Sequence, residues 1–181
     1  RPRFYGEFRH ARPGVVIPAA VLLALLTVQR LSELRISARN TKALMRAGAS
    51  ERAPEQYPFM IALHATWLVS LWLLAWSREV GLWWIPLLVL LQVGRFWTIR
   101  TLGSRWTTRI IVPRNAVPLV SGPYRFVRHP NYLIVAVELP CISLALGLGW
   151  HAAFFGALNL AMLSWRIREE DRGLYSGFRR S

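Results

Sequence analysis

The chain has 181 residues, 54% of them hydrophobic and nine of them Trp, with a net charge of +14 carried almost entirely by Arg. That length allows one compact unit, and the mean hydropathy of +0.29, with cations placed between apolar blocks, fits an integral membrane protein and argues against a nucleic-acid-binding domain. The single cysteine, Cys141, excludes an intrachain disulfide framework and a multi-cysteine metal site.

Five apolar segments follow in chain order: about Gly14–Ser32, Tyr57–Trp76, Gly81–Thr101, Pro130–Gly149 and Trp150–Arg166. A spanning helix needs roughly 20 residues, and the second, third and fourth segments reach that length. The first has only Val15–Val28 free of strongly polar groups and relies on Arg30 snorkelling to the surface. Its pattern imitates a signal peptide, but Val28-Gln-Arg-Leu-Ser-Glu33 offers no small-residue cleavage site, which predicts a retained helix. Residues 37–56 predict a polar loop with a short helix, ended by Gly48 and Pro54. Residues 103–123, with Ile110, Ile111 and Val112 followed by Pro113, Pro118 and Pro123, predict extended, turn-rich chain. The fourth and fifth segments meet at Gly147–His151, which predicts a tight helical hairpin. The expected fold is all-α, an integral membrane protein of about five transmembrane helices.

Positive charge tests that layout. With five spans, one side carries the four Arg of the N-terminal arm and Arg78, and the other carries eighteen Lys and Arg. The basic side is expected to be cytoplasmic and the N-terminus outside. Trp76, Trp83, Trp84 and Trp150 then fall together at the opposite interface, as an aromatic belt. The charge bias persists if the first segment does not span, so it supports the other four more than the first.

Helix counting puts two polar clusters on the basic side. One is Gly122-Pro-Tyr-Arg-Phe-Val-Arg-His-Pro-Asn-Tyr132. The other is Arg166-Ile-Arg-Glu-Glu-Asp-Arg-Gly-Leu174. Pro130 suits a first helical turn, where its missing N–H is not needed. His129 and Asn131 then flank a helix N-terminus, which favours a carboxylate or phosphate; a basic interfacial anchor fits the same residues. Glu169, Glu170 and Asp171 at a helix C-terminus oppose its dipole, so Arg166, Arg172 or a ligand is expected to compensate. Arg166 and Glu170 share a helix face, as an ion pair or as two walls of one pocket. Glu138, inside the fourth segment two residues before Pro140, reads as a hydrogen-bonded structural acid beside a kink, with an intramembrane functional role as the alternative. His64 reads as a satisfied interhelical donor. The dispersed histidines carry no metal signature, and neither a phosphate loop nor a Ser-His-Asp order is present.

Together these residues resemble the isoprenylcysteine carboxyl methyltransferase family, small integral membrane methyltransferases. The Gly-x-Tyr and Arg-His-Pro-x-Tyr elements of Gly122–Tyr132 are similar to its cofactor motif, and Arg166 with Glu170-Asp171-x-x-Leu174 is similar to its terminal Arg and Glu-Glu-x-x-Leu motif. Arg30, Glu33, Arg39-Asn40, Gly48-Ala49, Tyr57-Pro58 and His64 resemble a bacterial branch associated with O-methylation of lipophilic polyketides such as alkylpyrones. The resemblance implies one domain over residues 1–181. Residues 1–101 would supply the N-terminal helices and polar loop, and residues 102–181 the cofactor-binding half. It implies S-adenosylmethionine bound from the cytosol, at what is expected to be a bacterial inner membrane, and a lipophilic or prenylated acceptor taken from membrane lipid, with no nucleic acid or metal as partner. Ala116, Val117, Pro118, Leu119, Tyr124, His129, Pro130, Asn131, Tyr132 and Glu170 would line the cofactor pocket, Arg109 would be a polar cofactor contact, and Arg166 would hold the acceptor group. Asp171 stands where the family has a second Glu.

Two other functions fit the same chain. One is a membrane reductase of sterol-like lipids using NADPH, with Arg105, Arg109 and Arg114 as a phosphate patch. The other is a non-catalytic membrane scaffold. Binding of S-adenosylmethionine, of a nicotinamide or of neither separates the three.

Overall fold

The computed structural model describes residues 17–113 and 119–175, with side chains through Arg172. Five α-helices dominate it: α1 Ala19–Arg46, α2 Gln56–Ala75, α3 Ile85–Leu102, α4 Pro130–Ala145 and α5 Gly149–Tyr175. Two short strands, β1 Ser50–Arg52 and β2 Ile110–Val112, pair antiparallel with Glu51 opposite Ile111. This small sheet departs from the all-helical expectation, although β2 falls within the segment read as extended.

α1 is longer than its apolar stretch predicts. No Gly or Pro interrupts residues 19–46, so the helix runs on through the segment expected to be a loop. It stops where Gly48 takes a positive φ of 83° and Gly48 and Ala49 return their amides to the carbonyls of Met45 and Leu44. At about 42 Å it outreaches a hydrocarbon core of roughly 30 Å, and its far half is free to build something else.

The helices alternate in direction, and their ends are tied. At one end Ala19 N donates to Arg78 O (2.9 Å), Val80 N to Ile17 O (3.0 Å) and Gly81 N to Ala145 O (2.8 Å). The α4–α5 hairpin turns there as expected, with Gly147 at φ 71° and the Arg78 guanidinium capping Leu146 O at 3.2 Å. Exposed Trp76, Trp83 and Trp150 ring this end. The opposite end gathers the end of α1, the sheet, the start of α4 and the end of α5.

Leu23, Trp67, Leu71, Leu139, Ile142 and Leu146 form the centre of the core. Outer faces stay apolar too: Val69 and Leu73 on α2, Leu90, Val93 and Phe96 on α3, and Phe154 and Leu160 on α5 are exposed. Two stretches, Gln56–Ala75 and Leu82–Arg105, are long and apolar enough to cross a membrane, with only 17% and 22% of the residues in their most apolar 18-residue windows buried. A soluble core helix would bury most of them.

Several polar groups inside the bundle tie one helix to another. His151, fully buried, bridges Ser143 Oγ (2.9 Å) and Ser70 Oγ (2.8 Å), joining α5, α4 and α2. His64 does not bond across helices as expected. Its Nδ1–H donates to Met60 O in its own helix at 2.9 Å.

The largest polar assembly joins α1, α3 and α4. Glu138, fully buried, accepts from Arg30 Nη2 (2.6 Å), from Arg95 Nη2 and from Gln92 Nε2 (2.7 Å). Glu33 accepts from Arg30 Nη1 (3.0 Å), Arg95 Nη1 (3.3 Å) and Gln29 Nε2 (3.0 Å). Arg30 therefore turns inward rather than snorkelling, and Arg95 is only 3% exposed. These two of the eighteen basic-side cations are interior and contribute nothing to a surface bias. Glu138 is the paired structural acid that its sequence context favours. Removing one member of such a buried set strands the rest. Glu138→Ala is expected to lose about 3–5 kcal/mol, read as a large drop in the unfolding midpoint in detergent. An unchanged midpoint would show that the cluster does not hold the helices together.

Candidate functional site

The site lies at the end opposite the hairpin and is built from chain segments that α1 holds in place. Asn40 Nδ2 donates to Trp106 O (2.8 Å) and Gly103 O (3.1 Å), and Ser37 Oγ accepts the amide of Thr108 at 2.8 Å. These bonds lay residues 103–109 across the helix ends. β2 continues from that segment to pair with β1, and Arg109 locks the sheet by binding Glu51 Oε1 at 2.7 Å and stacking its guanidinium 3.9 Å from the Tyr57 ring centre.

On the other side, Gly122–Arg125 forms a single 3-10 turn that leads through His129 into α4, whose first residue is Pro130. Gly122 has φ +57°, and a Cβ there would lie 2.5 Å from Thr101 Oγ1. The turn thus seats directly on the last turn of α3, which only glycine permits.

The two motif clusters meet. Tyr132 OH donates to Glu170 Oε2 at 2.5 Å, His129 Nε2 lies 3.2 Å from Asp171 Oδ1, and His129 Nδ1 lies 3.8 Å from Glu170 Oε2. The His129 and Tyr132 rings stack at 5.3 Å. Glu169 is occupied by Arg172 at 2.5 Å. Burial and the neighbouring Glu170 carboxylate push the Tyr124 phenol well above its ordinary value, so it stays a neutral donor at any physiological pH.

These groups enclose a cavity of about 320 Å³, within the small-molecule range. Of the predicted pocket residues, Arg109, Leu119, Tyr124, His129, Asn131, Tyr132 and Glu170 all line it. Pro130 does not; it is buried in the first turn of α4 and sets the angle at which its neighbours enter. Ala116, Val117 and Pro118 lie outside the described residues. Asp171 also lines the cavity, as do Arg105, Trp106 and Arg128. Sequence reading missed Trp106 as a wall because it stands in a segment legible only as extended chain.

Arg166 does not line the cavity. It is 4% exposed, donates to Thr108 O at 2.8 Å and stands 5.8 Å behind the Tyr132 ring centre. Among the described residues no carboxylate forms an ion pair with it. The open choice between ion pair and two walls is settled for the pair itself: Glu170 turns to Tyr132, not to Arg166.

The model of the isoprenylcysteine carboxyl methyltransferase (ICMT) family matches residues 84–176, the span that holds every described lining residue of this cavity except Leu44 of α1. The chain belongs to that family. An uncharacterized protein of Bacillus subtilis (strain 168), YpbQ, is 31% identical over 159 residues, covering 85% of this chain and 95% of its own length. An uncharacterized protein of Haemophilus influenzae (strain ATCC 51907 / DSM 11121 / KW20 / Rd) is 25% identical over 171 residues, covering 89% of this chain and 97% of its own length. No solved structure matches. Family membership and the apolar outer faces together make this an integral membrane protein of a methyltransferase family.

Gly122→Ala is expected to disturb the site without touching any lining residue. Its strained φ and the Thr101 clash predict a loss of about 1–3 kcal/mol, measurable by thermal unfolding, and Thr101→Ala in the same chain should recover only the steric part. A neutral Gly122→Ala would mean that the turn is not seated on α3.

Proposed function

We propose that this protein is an S-adenosylmethionine-dependent methyltransferase that O-methylates a lipophilic acceptor at the membrane. The observation that carries the reading is the meeting of His129, Asn131 and Tyr132 with Glu170 and Asp171 in one cavity, within a chain of the methyltransferase family.

The residues present fit the cofactor. Glu170 and Asp171 offer carboxylates to donors such as ribose hydroxyls or an ammonium, Arg128 lines the same cavity as a cation for a carboxylate, and Trp106 Nε1 and Asn131 Oδ1 are buried polar atoms with no partner among the described residues. When bound, S-adenosylmethionine supplies an electrophilic methyl on a sulfonium. The protein's share is to bind, align and exclude water, because a carboxylate or enolate acceptor is already ionised near neutral pH and needs no strong base. Glu170, Tyr124, His129, Asn131 and Tyr132 would hold the cofactor, and residues 116–119 would complete the pocket.

Arg166 is the proposed acceptor anchor. A buried guanidinium with no carboxylate partner among the described residues fits an incoming anion, and its planar fork orients one. Its place behind Tyr132 keeps it off the cofactor cavity and beside it. The acceptor is accordingly a prenylated cysteine carboxylate, a lipid acid or an enol such as an alkylpyrone. The basic end is assigned to the cytoplasm of a bacterial inner membrane, with the N-terminus outside.

The reductase reading is disfavoured by Arg109, which is committed to Glu51 and Tyr57 rather than left for a nucleotide phosphate. Calorimetric titration in detergent is expected to show binding of S-adenosylhomocysteine and none of NADPH. Glu170→Ala should weaken the former by roughly 5- to 100-fold, since a buried donor loses its acceptor. Binding of NADPH alone would install the reductase instead, and unchanged affinity in Glu170→Ala would remove that residue from the cofactor site.

A further inference from the structure

One outer stripe runs the length of α1. Val21, Leu25, Val28, Ser32, Arg35, Arg39, Lys42 and Arg46 recur at alternating intervals of four and three, which keeps them on one helix face, and all of them are exposed. The opposite face is the one that packs: Leu23, Leu26, Glu33 and Ser37 are buried, and Asn40 holds the carbonyls of Gly103 and Trp106. The stripe is apolar as far as Val28 and cationic from Arg35 onward. Among the described residues none of its four cations is in an ion pair. The one acid within residues 31–46, Glu33, is spent inside the bundle on Arg30 and Arg95.

Depth gives the stripe its meaning. α1 and α2 share the tied end of the bundle, yet α1 has 28 residues and α2 has 20, so α1 overshoots its neighbour. Counted from Ala19, the cations Arg35, Arg39, Lys42 and Arg46 stand about 24, 30, 35 and 41 Å along the helix. A hydrocarbon core is about 30 Å thick, with a headgroup layer of roughly 5–8 Å on each side. On that scale the apolar part of the stripe faces acyl chains, Arg35 reaches outward along its stem, and Arg39, Lys42 and Arg46 face the headgroup layer and its outer edge. A charge bias that merely orients a chain needs no particular helix face, whereas every cation of α1 except the interior Arg30 lies on this one. We infer that the stripe is a binding site for anionic phospholipid headgroups, whose phosphates are taken up by the guanidiniums of Arg35, Arg39 and Arg46 and the ammonium of Lys42. The site lies on the outer face of α1, apart from the cavity, and does not rest on the cofactor reading.

The test titrates the purified, delipidated protein in a neutral detergent and counts bound molecules by native mass spectrometry. The probes are dioleoyl phosphatidylglycerol, dioleoyl phosphatidylcholine and an octaglutamate peptide. Wild type should prefer phosphatidylglycerol over phosphatidylcholine. Arg39→Gln/Lys42→Gln should weaken phosphatidylglycerol binding roughly 10- to 30-fold and leave phosphatidylcholine binding unchanged. Gln keeps a high helix propensity, so the two charges are removed without breaking α1. Equal binding of the two lipids by wild type, or a preference that survives in the double variant, would overturn the inference. Octaglutamate binding that the double variant loses, beside unchanged phosphatidylglycerol binding, would overturn it in favour of an acidic protein partner. Should the double variant fail to fold, wild type alone decides. Its preference should shrink as ammonium acetate rises from roughly 50 to 500 mM, because exposed charges are screened, and a preference indifferent to salt would contradict contact with the stripe.

Discussion

The structure depends on one buried charge assembly. Two carboxylates, Glu33 and Glu138, and two guanidiniums, Arg30 and Arg95, neutralise one another among three apolar helices, with Gln29 and Gln92 filling remaining lone pairs. In hydrocarbon such charges are tolerated only when paired, so the rotation and depth of α1, α3 and α4 are set by the requirement that these side chains meet. Apolar packing alone would leave the helices free to slide, since lipid and leucine are nearly equivalent neighbours.

Fixing α1 has a consequence at the functional end. The same helix that carries Arg30 and Glu33 runs on to Ser37 and Asn40, which hold residues 103–108 over the helix ends. Thr108 in turn accepts from Arg166, and Trp106 forms a wall of the cavity. The interior ion cluster, the pinned segment and the pocket are thus successive stages along one rigid helix. A loop at residues 37–56 would not have provided that continuity.

Much of this was legible in the sequence because it rests on local chemistry. The apolar segments became helices with nearly the expected limits for α2 and α3, α4 stopped four residues early at 16 residues, short of the expected spanning length, the Gly147 turn gave the hairpin, and counting helices placed Gly122–Tyr132 and Arg166–Asp171 at one end, where Tyr132 and Glu170 bond. What stayed hidden depends on pairing across the fold. Arg30 looked like a snorkelling residue because its partner Glu138 is more than a hundred positions away. Arg95 counts by position among the basic-side cations for the same reason. α1 was cut short because its far half is polar, although nothing in residues 37–46 breaks a helix. Trp106 carries no local pattern at all, and its place in the cavity wall depends on the bonds that Asn40 makes to its segment.

The central claim is methyl transfer to a lipophilic oxygen, and the most direct measurement supplies methyl-labelled S-adenosylmethionine to the purified protein in vesicles made from bacterial lipid extract, then follows label into the organic phase. The account predicts protein-dependent, solvent-extractable label that falls roughly 100-fold or more in Arg166→Ala while that variant still binds S-adenosylhomocysteine. Base treatment then separates a methyl ester, which releases methanol, from an enol ether, which does not. Label transfer undiminished in Arg166→Ala would contradict the acceptor site, and no transfer to prenylcysteine, lipid acid or alkylpyrone acceptors by a protein that binds the cofactor would contradict the proposed reaction.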